Sequence, residues 1–141
     1  MTDEPPLLLD THAWIWLQQA DRVRLKRPAM KTIEAASAAG KLRLAAISLW
    51  EVAMLESKGR VKFVMPCLAW LHEALATPGL AVMHMTPEIA AGSCCLPGKF
   101  HGDPADQIIA ATARSIFATI VTRDRRILNY AKHGHITAMA I

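Results

Sequence analysis

Short apolar runs alternate along the chain with longer segments whose apolar positions recur at helical spacing. The short runs predict strands at residues 7–9, 42–46, 80–84, 118–121 and 136–141. The longer segments predict a helix that starts near residue 13 and helices over residues 28–39, 48–57, 67–76, 87–94, 103–115 and 125–131. Strands that alternate with helices are typical of a parallel sheet with helices on both faces.

Four acidic residues stand at the ends of these predicted elements. Asp10 ends the first apolar run, Asp124 follows the run at 118–121, and Glu51 and Asp106 lie where helical segments open. The chain has only 12 Asp and Glu residues against 16 Lys and Arg residues, so a generally acidic surface does not explain this placement. In an open α/β sheet, the carboxyl ends of the strands form a crevice in which ligands bind. Carboxylates that meet there repel one another unless a cation lies between them.

Magnesium is the cation that suits such a set of ligands. It prefers hard oxygen ligands in octahedral geometry and keeps several waters, so a few carboxylates from different elements are enough to hold it. One or two ions bound in this way activate water and stabilise charge on a phosphodiester. The sequence therefore predicts a magnesium site and leaves the number of ions open.

Helix capping is the competing interpretation of the same acids. Ser48 and Glu51 match a capping box, in which the serine caps the helix and the glutamate returns a hydrogen bond. Asp103, with a proline behind it and an acid three positions later, matches an N-cap, and Asp124 could cap the next helix. Asp10 is the hardest to explain as a cap, because it ends a buried run with two tryptophans close behind it.

Composition narrows the class of protein further. A length of 141 residues suits one compact domain over residues 1–141, and 52% hydrophobic against 20% charged residues excludes a disordered chain. The net charge of +4 favours a polyanionic partner only mildly.

The three cysteines lack metal-ligand spacing, which predicts reduced thiols in a cytoplasmic protein. The N-terminus lacks the basic start and apolar stretch of a signal peptide, and no segment predicts a membrane span.

Four segments, taken in order, resemble the successive motifs of the PIN-domain ribonucleases. They are LLLDTHA at 7–13, ISLWEV at 47–52, HGDPADQIIAATA at 101–113 and VTRD at 121–124. The resemblance is strongest to the VapC toxins of bacterial type II toxin–antitoxin systems, and it covers nearly the whole chain. Each motif is weak by itself, whereas the ordered set at family-like separations is specific.

The resemblance implies a three-layer α/β/α sandwich with a short, mainly parallel central sheet. It also implies RNA cleavage that depends on Mg²⁺ or Mn²⁺, with the catalytic and metal-binding carboxylates at Asp10, Glu51, Asp106 and Asp124. Alignment on residues 109–113 selects Asp106 as the catalytic acid of its motif, so we assign Asp103 to capping and to support of the site. Gln107 departs from the pattern, because related toxins often carry arginine there, and this puts a local salt bridge in doubt.

The resemblance further implies partners. A VapB-like antitoxin would occupy or block the acidic crevice, where a basic side chain would replace the charge of the metal. A homodimer is expected on the resemblance alone. Transfer, ribosomal and messenger RNA all remain possible substrates.

Several residues beside the acids have two open interpretations. Thr11 and Thr122 could hydrogen-bond a carboxylate, a metal-bound water or a phosphate, and helix capping explains both equally well. Arg123, Arg125 and Arg126 could hold the RNA backbone or could form a solvated helix start, so we expect only one or two of them to touch substrate.

Histidines and tryptophans also lie near the motifs. His12 and His101 have no zinc-ligand spacing to other histidines or cysteines, and a magnesium site favours oxygen, so we do not expect them to bind metal. The tryptophans could stack RNA bases, although packing in the core or in a dimer explains most of them better: Trp14, Trp16, Trp50 and Trp70.

The function that this set of residues predicts is that of an endoribonuclease toxin. Water activated at the metal would attack phosphorus in line, without a covalent intermediate, and the metal would stabilise the leaving 3′ oxygen. The alternative is a PIN-like module that has lost catalysis and binds RNA or a partner; clustered negative charge on an RNA-binding surface argues against it. This chain also lacks residues that two other phosphate-handling folds require. A haloacid-dehalogenase-type phosphatase needs aspartate where His12 stands, and a response-regulator receiver needs lysine in the region of residues 122–124.

Overall fold

Five short strands and seven helices alternate along residues 3–141, the part of the chain that the computed structural model describes. Residues 1 and 2 lie outside this range. They belong to the N-terminal segment that, from its sequence, does not resemble a signal peptide. The strands are β1 (Leu7–Leu9), β2 (Leu42–Ala45), β3 (Leu80–Met83), β4 (Thr119–Thr122) and β5 (Thr137–Ala140). The helices are α1 (Thr11–Gln18), α2 (Arg27–Ala38), α3 (Ile47–Ser57), α4 (Cys67–Leu75), α5 (Pro87–Ser93), α6 (Pro104–Ile116) and α7 (Arg125–Ala131).

The strands form one sheet in the order β3-β2-β1-β4-β5, and every neighbouring pair is parallel. β1 lies at the centre, where Leu8 is in register with Arg43 on one side and Ile120 on the other. This arrangement confirms the predicted α/β fold with a short parallel sheet.

The side chains of β1 alternate between two hydrophobic cores, one on each face of the sheet. Leu7 and Leu9 pack in the core formed with α1, α2 and α4, which also contains Trp14 and Trp70. Leu8 points to the opposite face and packs in the core formed with α6 and α7. Because both faces of β1 are covered, this strand is uniformly apolar, as expected of a parallel strand inside a sandwich.

Two tight strand-to-helix turns bring the carboxyl ends of the central strands together. α1 begins at Thr11, two residues earlier than predicted, because Asp10 caps it directly after β1. The backbone N–H of Asp10 donates to the carbonyl of Val121 at 3.1 Å, which joins the end of β1 to β4. The residues after these two strands therefore share one edge of the sheet.

The cysteines are free thiols, as predicted: Cys67, Cys94 and Cys95. Within the described residues, no helix is both long enough and apolar enough to cross a membrane.

One helix end carries a conformational cost that a substitution can remove. Phe117 ends α6 in the left-handed region at φ 54°, and its side chain is 84% exposed, so little packing offsets the strain of its Cβ. We expect Phe117→Gly to raise the free energy of unfolding by up to about 1 kcal/mol, as measured by urea denaturation. Phe117→Ala keeps the Cβ and serves as the control, so an equal gain in both variants would contradict this explanation.

Candidate active site

A cavity of about 360 Å³ lies at the carboxyl edge of the central strands. Five carboxylates from four parts of the chain line it: Asp10, Glu51, Asp103, Asp106 and Asp124. They come from the turn after β1, from α3, from the start of α6 and from the turn after β4. The structure thus brings the four predicted acids, together with Asp103, into one crevice, while their catalytic and metal-binding roles remain predictions.

Asp10 and Asp124 cap helices and line the cavity at the same time. Oδ1 of Asp10 accepts a hydrogen bond from the backbone N–H of Ala13 at 2.8 Å. Oδ1 of Asp124 accepts from the N–H groups of Arg126 and Ile127 at 2.7 and 3.3 Å. Asp10, the acid that was hardest to explain as a cap from the sequence, is thus also a cap, because α1 starts immediately behind it. In both residues, capping uses Oδ1 and leaves Oδ2 free of these backbone bonds.

Ser48 does not form the predicted capping box. α3 starts one residue before it, with Ala46 at the N-cap, so the Ser48 hydroxyl lies inside the helix and is fully buried. That hydroxyl shares a hydrogen bond of 2.9 Å with Oγ1 of Thr11, which in turn donates to the Glu51 carboxylate. Of the two interpretations of Thr11, the structure supports carboxylate binding. Thr11 fixes the position of Glu51 across the gap between α1 and α3.

Asp103 caps α6, as predicted, by accepting the backbone N–H of Asp106 at 3.1 Å. Beside it, Nε2 of His101 lies 3.2 Å from Oδ2 of Asp106 but off the hydrogen-bonding direction, so this buried nitrogen has no hydrogen-bond partner within residues 3–141. The Gln107 amide donates to the His101 carbonyl at 3.2 Å. At the position where related toxins often carry arginine, this chain thus uses an amide to hold the loop that precedes α6.

Burial and repulsion by neighbouring acids make two of the lining acids, Asp10 and Asp106, hard to ionise. Burial, followed by the charges of Asp103 and Asp124, raises the pKa of Asp106 to about 7. Burial also raises the pKa of Asp10 to about 6, although the nearby Thr122 hydroxyl partly opposes this rise. Near neutral pH, both carboxyls are therefore partly protonated in the absence of a counter-charge, and a cation would favour their ionised forms.

The chemistry of the donor set fits a hard divalent cation. All five lining acids present carboxylate oxygens, the ligands that Mg²⁺ prefers. Nowhere in the described part of the chain do three acidic, histidine or cysteine side chains stand as a finished ligand set. Three of the carboxylates, those of Asp10, Glu51 and Asp124, are instead held by local partners, namely helix N–H groups and the Thr11 hydroxyl.

The basic residues divide between this cavity and other surfaces. Arg123 and Arg126 line the cavity, and Nη2 of Arg126 lies 3.7 Å from Oδ2 of Asp124. Arg125 instead lines a separate groove between α7 and β5, so the structure does not bring it to the acids. Arg60 also lines the cavity and was not predicted. It lies beyond α3, where its N–H donates to the Leu55 carbonyl at 2.9 Å, and no motif marks it in the sequence.

Thr122 is fully buried, and its hydroxyl accepts the backbone N–H of Asp124 at 2.9 Å. This local bond shapes the turn that presents Asp124, whereas Asp124 itself caps α7, so the structure does not support helix capping by Thr122. The nearby Thr122 hydroxyl also lowers the pKa of Asp10, so it acts on both strand-end acids.

Comparison with known proteins decides the family. The PIN domain model matches residues 7–133. The chain belongs to the PIN-domain family. Within this family it is similar to Ribonuclease VapC22 of Mycobacterium tuberculosis (strain ATCC 25618 / H37Rv), with 37% identity over 131 residues that cover 93% of this chain and 96% of the relative. The resemblance to PIN-domain and VapC proteins is thereby confirmed.

Solved structures share the fold of this PIN-domain chain. VapBC2 from Rickettsia felis, bound to a DNA fragment from its promoter, gives a TM-score of 0.69 at 15% identity, over 95% of this chain and 97% of that chain. DNA-bound VapBC from Salmonella typhimurium gives a TM-score of 0.67 at 18% identity, over 97% of this chain and 98% of that chain. At these identities, the similarity establishes the three-layer PIN fold.

The raised pKa of Asp106 predicts an unusual pH dependence of stability in metal-free protein. Because the folded-state pKa of about 7 exceeds the ordinary aspartate pKa of 3.8, the folded state binds more protons between these values, and the free energy of unfolding falls as pH rises through this range. We expect Asp106→Asn to remove most of this fall and to be more stable than the wild type at pH 8 by about 1–3 kcal/mol. Urea denaturation in EDTA at pH 5 and pH 8 measures the difference.

Glu88→Gln on α5 is the matched control for that experiment, because Glu88 is exposed and lies outside the cavity. Its stability should follow the wild type at both pH values. The prediction would be contradicted if the free energy of unfolding changed equally between pH 5 and pH 8 in the wild type and in Asp106→Asn. That result would show that ionisation of Asp106 does not destabilise the fold.

Proposed function

We propose that this PIN-domain protein is a metal-dependent endoribonuclease that acts as the toxin of a toxin–antitoxin pair. The observation that carries the proposal is the convergence of four carboxylates from separate elements in one cavity: Asp10, Glu51, Asp106 and Asp124. The relative with 37% identity is named a ribonuclease, which supports the same activity here. Buried acids repel one another and also repel a polyanion such as RNA. A module that only binds RNA would therefore gain nothing from them.

The four carboxylates would hold Mg²⁺ or Mn²⁺ in this cavity. When bound, the ion supplies Lewis-acid chemistry, which lowers the pKa of water and stabilises charge on a phosphodiester. Asp10 and Asp124 are fixed through Oδ1 by their helices and present Oδ2, while Thr11 orients Glu51. The side chains are thereby positioned before the ligand arrives, which reduces the entropy lost on binding.

Arginines at the cavity would bind the RNA backbone. Arg60, Arg123 and Arg126 line the cavity beside the carboxylates, and guanidinium groups donate paired hydrogen bonds to phosphate oxygens. Such contacts position an RNA strand without selecting its sequence. Arg125 faces another groove, so we do not include it among these contacts.

We further propose a VapB-like antitoxin as the partner of this chain. The two solved structures with TM-scores of 0.69 and 0.67 are described as VapBC proteins bound to DNA, which supports a partner of that kind. A basic side chain from the antitoxin would lower the repulsion among the carboxylates and exclude the cation from the same cavity. A homodimer remains an expectation from the family.

Removal of a single carboxylate tests the nuclease. Asp10→Asn and Asp124→Asn keep the shape and the capping oxygen but remove charge, so we expect Mg²⁺-dependent RNA cleavage to fall by more than about 100-fold, because loss of an outer hydrogen bond alone costs metal sites about 10- to 100-fold. Cleavage of labelled RNA and titration calorimetry with Mg²⁺ measure activity and ion binding. Glu88→Gln should leave both unchanged.

Two results would contradict the proposal. Metal-dependent cleavage that persists in Asp10→Asn or in Asp124→Asn would show that these acids do not form the centre. A wild-type protein that binds RNA but neither binds Mg²⁺ nor cleaves would support the catalytically inactive PIN-like module instead.

Thr11 provides a separate test of how Glu51 is positioned. Thr11→Val has nearly the same shape but cannot donate to the Glu51 carboxylate, whereas Thr11→Ser keeps the hydroxyl. We expect Thr11→Val to weaken Mg²⁺ binding about 10-fold and Thr11→Ser to restore most of it. Equal Mg²⁺ affinity in both variants and the wild type would mean that Glu51 does not need this hydrogen bond.

A further inference from the structure

The cavity has an aromatic wall on α1 that the carboxylate chemistry does not use. His12 and Trp16 both line the cavity, and because they are four residues apart they share one face of the helix. Trp14 points elsewhere and is fully buried against Trp70, with ring centroids 5.2 Å apart. Trp16 is only partly buried and lines the same cavity as the acids.

Two guanidinium groups lie over the Trp16 ring at long range, and an imidazole ring lies near it. The guanidinium carbons of Arg24 and Arg123 lie 5.6 and 6.0 Å from its centroid, and the His12 ring lies 5.8 Å away at a tilt of 48°. Cation–π contacts extend to about 6 Å, so both arginines lie near the outer limit. Arg24 is further held by Asp21 through an ion pair of 2.6 Å. A base that stacks on the indole would therefore replace a guanidinium group over the ring and would have both arginines close to its phosphates.

We propose that Trp16 is a base-stacking residue, which takes an unpaired nucleobase adjacent to the phosphodiester bond that is cut. Arg24 and Arg123 would then contact the phosphates on either side of the stacked base. The proposal rests on the proposed nuclease function, because the same RNA strand must reach the carboxylates. Bases inside a duplex are stacked on their neighbours and cannot reach an aromatic side chain, so the platform selects single-stranded segments.

The charge pattern favours RNA as the occupant of this wall. The carboxylates alone repel a polyanion, whereas a π face flanked by two arginines attracts both parts of a nucleotide, its base and its phosphate. The wall lies in the same cavity as the carboxylates, so a nucleotide bound there is next to the reacting phosphate.

Binding of short RNA tests the proposal. In an Asp106→Asn background, which prevents cleavage, fluorescence anisotropy with a labelled ten-nucleotide single-stranded RNA in Mg²⁺ measures Kd. We expect Trp16→Ala to weaken binding by about 5- to 150-fold, the range for the loss of one stacked base, and Trp16→Phe to stay within about 3-fold of the parent. Trp50→Ala is the matched control, because Trp50 is 59% exposed and lies outside the cavity.

A duplex of the same sequence separates stacking from a general structural effect. Trp16→Ala should leave duplex affinity unchanged, and with Asp106 restored it should raise KM for single-stranded RNA more than it lowers kcat. Equal affinity of Trp16→Ala and its parent for single-stranded RNA would overturn the proposal. An equal loss for single-stranded RNA and duplex would overturn it as well, since that pattern indicates distortion of the site.

The same measurements distinguish failure of the platform from failure of the nuclease. Weaker single-stranded binding in Trp16→Ala, with no metal-dependent cleavage by the wild type, would support the platform and reject the proposed activity. Cleavage by the wild type, with unchanged single-stranded binding in Trp16→Ala, would reject the platform and support the activity.

Discussion

The position of the site depends on β1, a three-residue strand that pairs in parallel with a neighbour on each side and is buried on both faces. Because β1 and β4 run in the same direction, the segments that leave them emerge at one edge of the sheet. The hydrogen bond from the Asp10 N–H to the Val121 carbonyl holds these two exits together. Residues 10–12 and 122–124 are therefore neighbours for reasons of strand pairing, whichever side chains they carry.

Capping is compatible with the metal binding that we propose for the acids at this edge. Asp10, Asp103 and Asp124 each accept a helix N–H, and the partial positive charge of a helix N-terminus stabilises a carboxylate there. Asp106 is itself in the first turn of α6, yet its pKa is raised to about 7, because burial and the other acids outweigh the helix. The fold thus orients the carboxylates but does not neutralise them, and the cation that we propose would remove the remaining repulsion.

The sequence was sufficient for features that depend on neighbouring residues, and insufficient for those that depend on distant ones. Apolar runs located all five strands, and the acid after each central strand marked the crevice. Ser48 was misinterpreted because the pattern Ser-x-x-Glu is local, whereas its hydrogen-bond partner Thr11 is 37 residues away. Arg60 and Arg125 illustrate the same limit. The path of the chain after α3 brings Arg60 to the cavity, whereas the orientation of α7 turns Arg125 towards another groove.

α1 connects the core to the site within eight residues. Trp14 packs in the core against Trp70, which also stacks on Phe63 at 4.3 Å, and Asp10 fixes the start of the same helix. A helix held at its first turn and along its buried face has little freedom to rotate, so Trp16 keeps a fixed position relative to Asp10. Rigid placement lowers the entropy lost when a nucleotide orders against the protein. The core packing of Trp14 thereby fixes the orientation of Trp16, the side chain for which we propose base stacking.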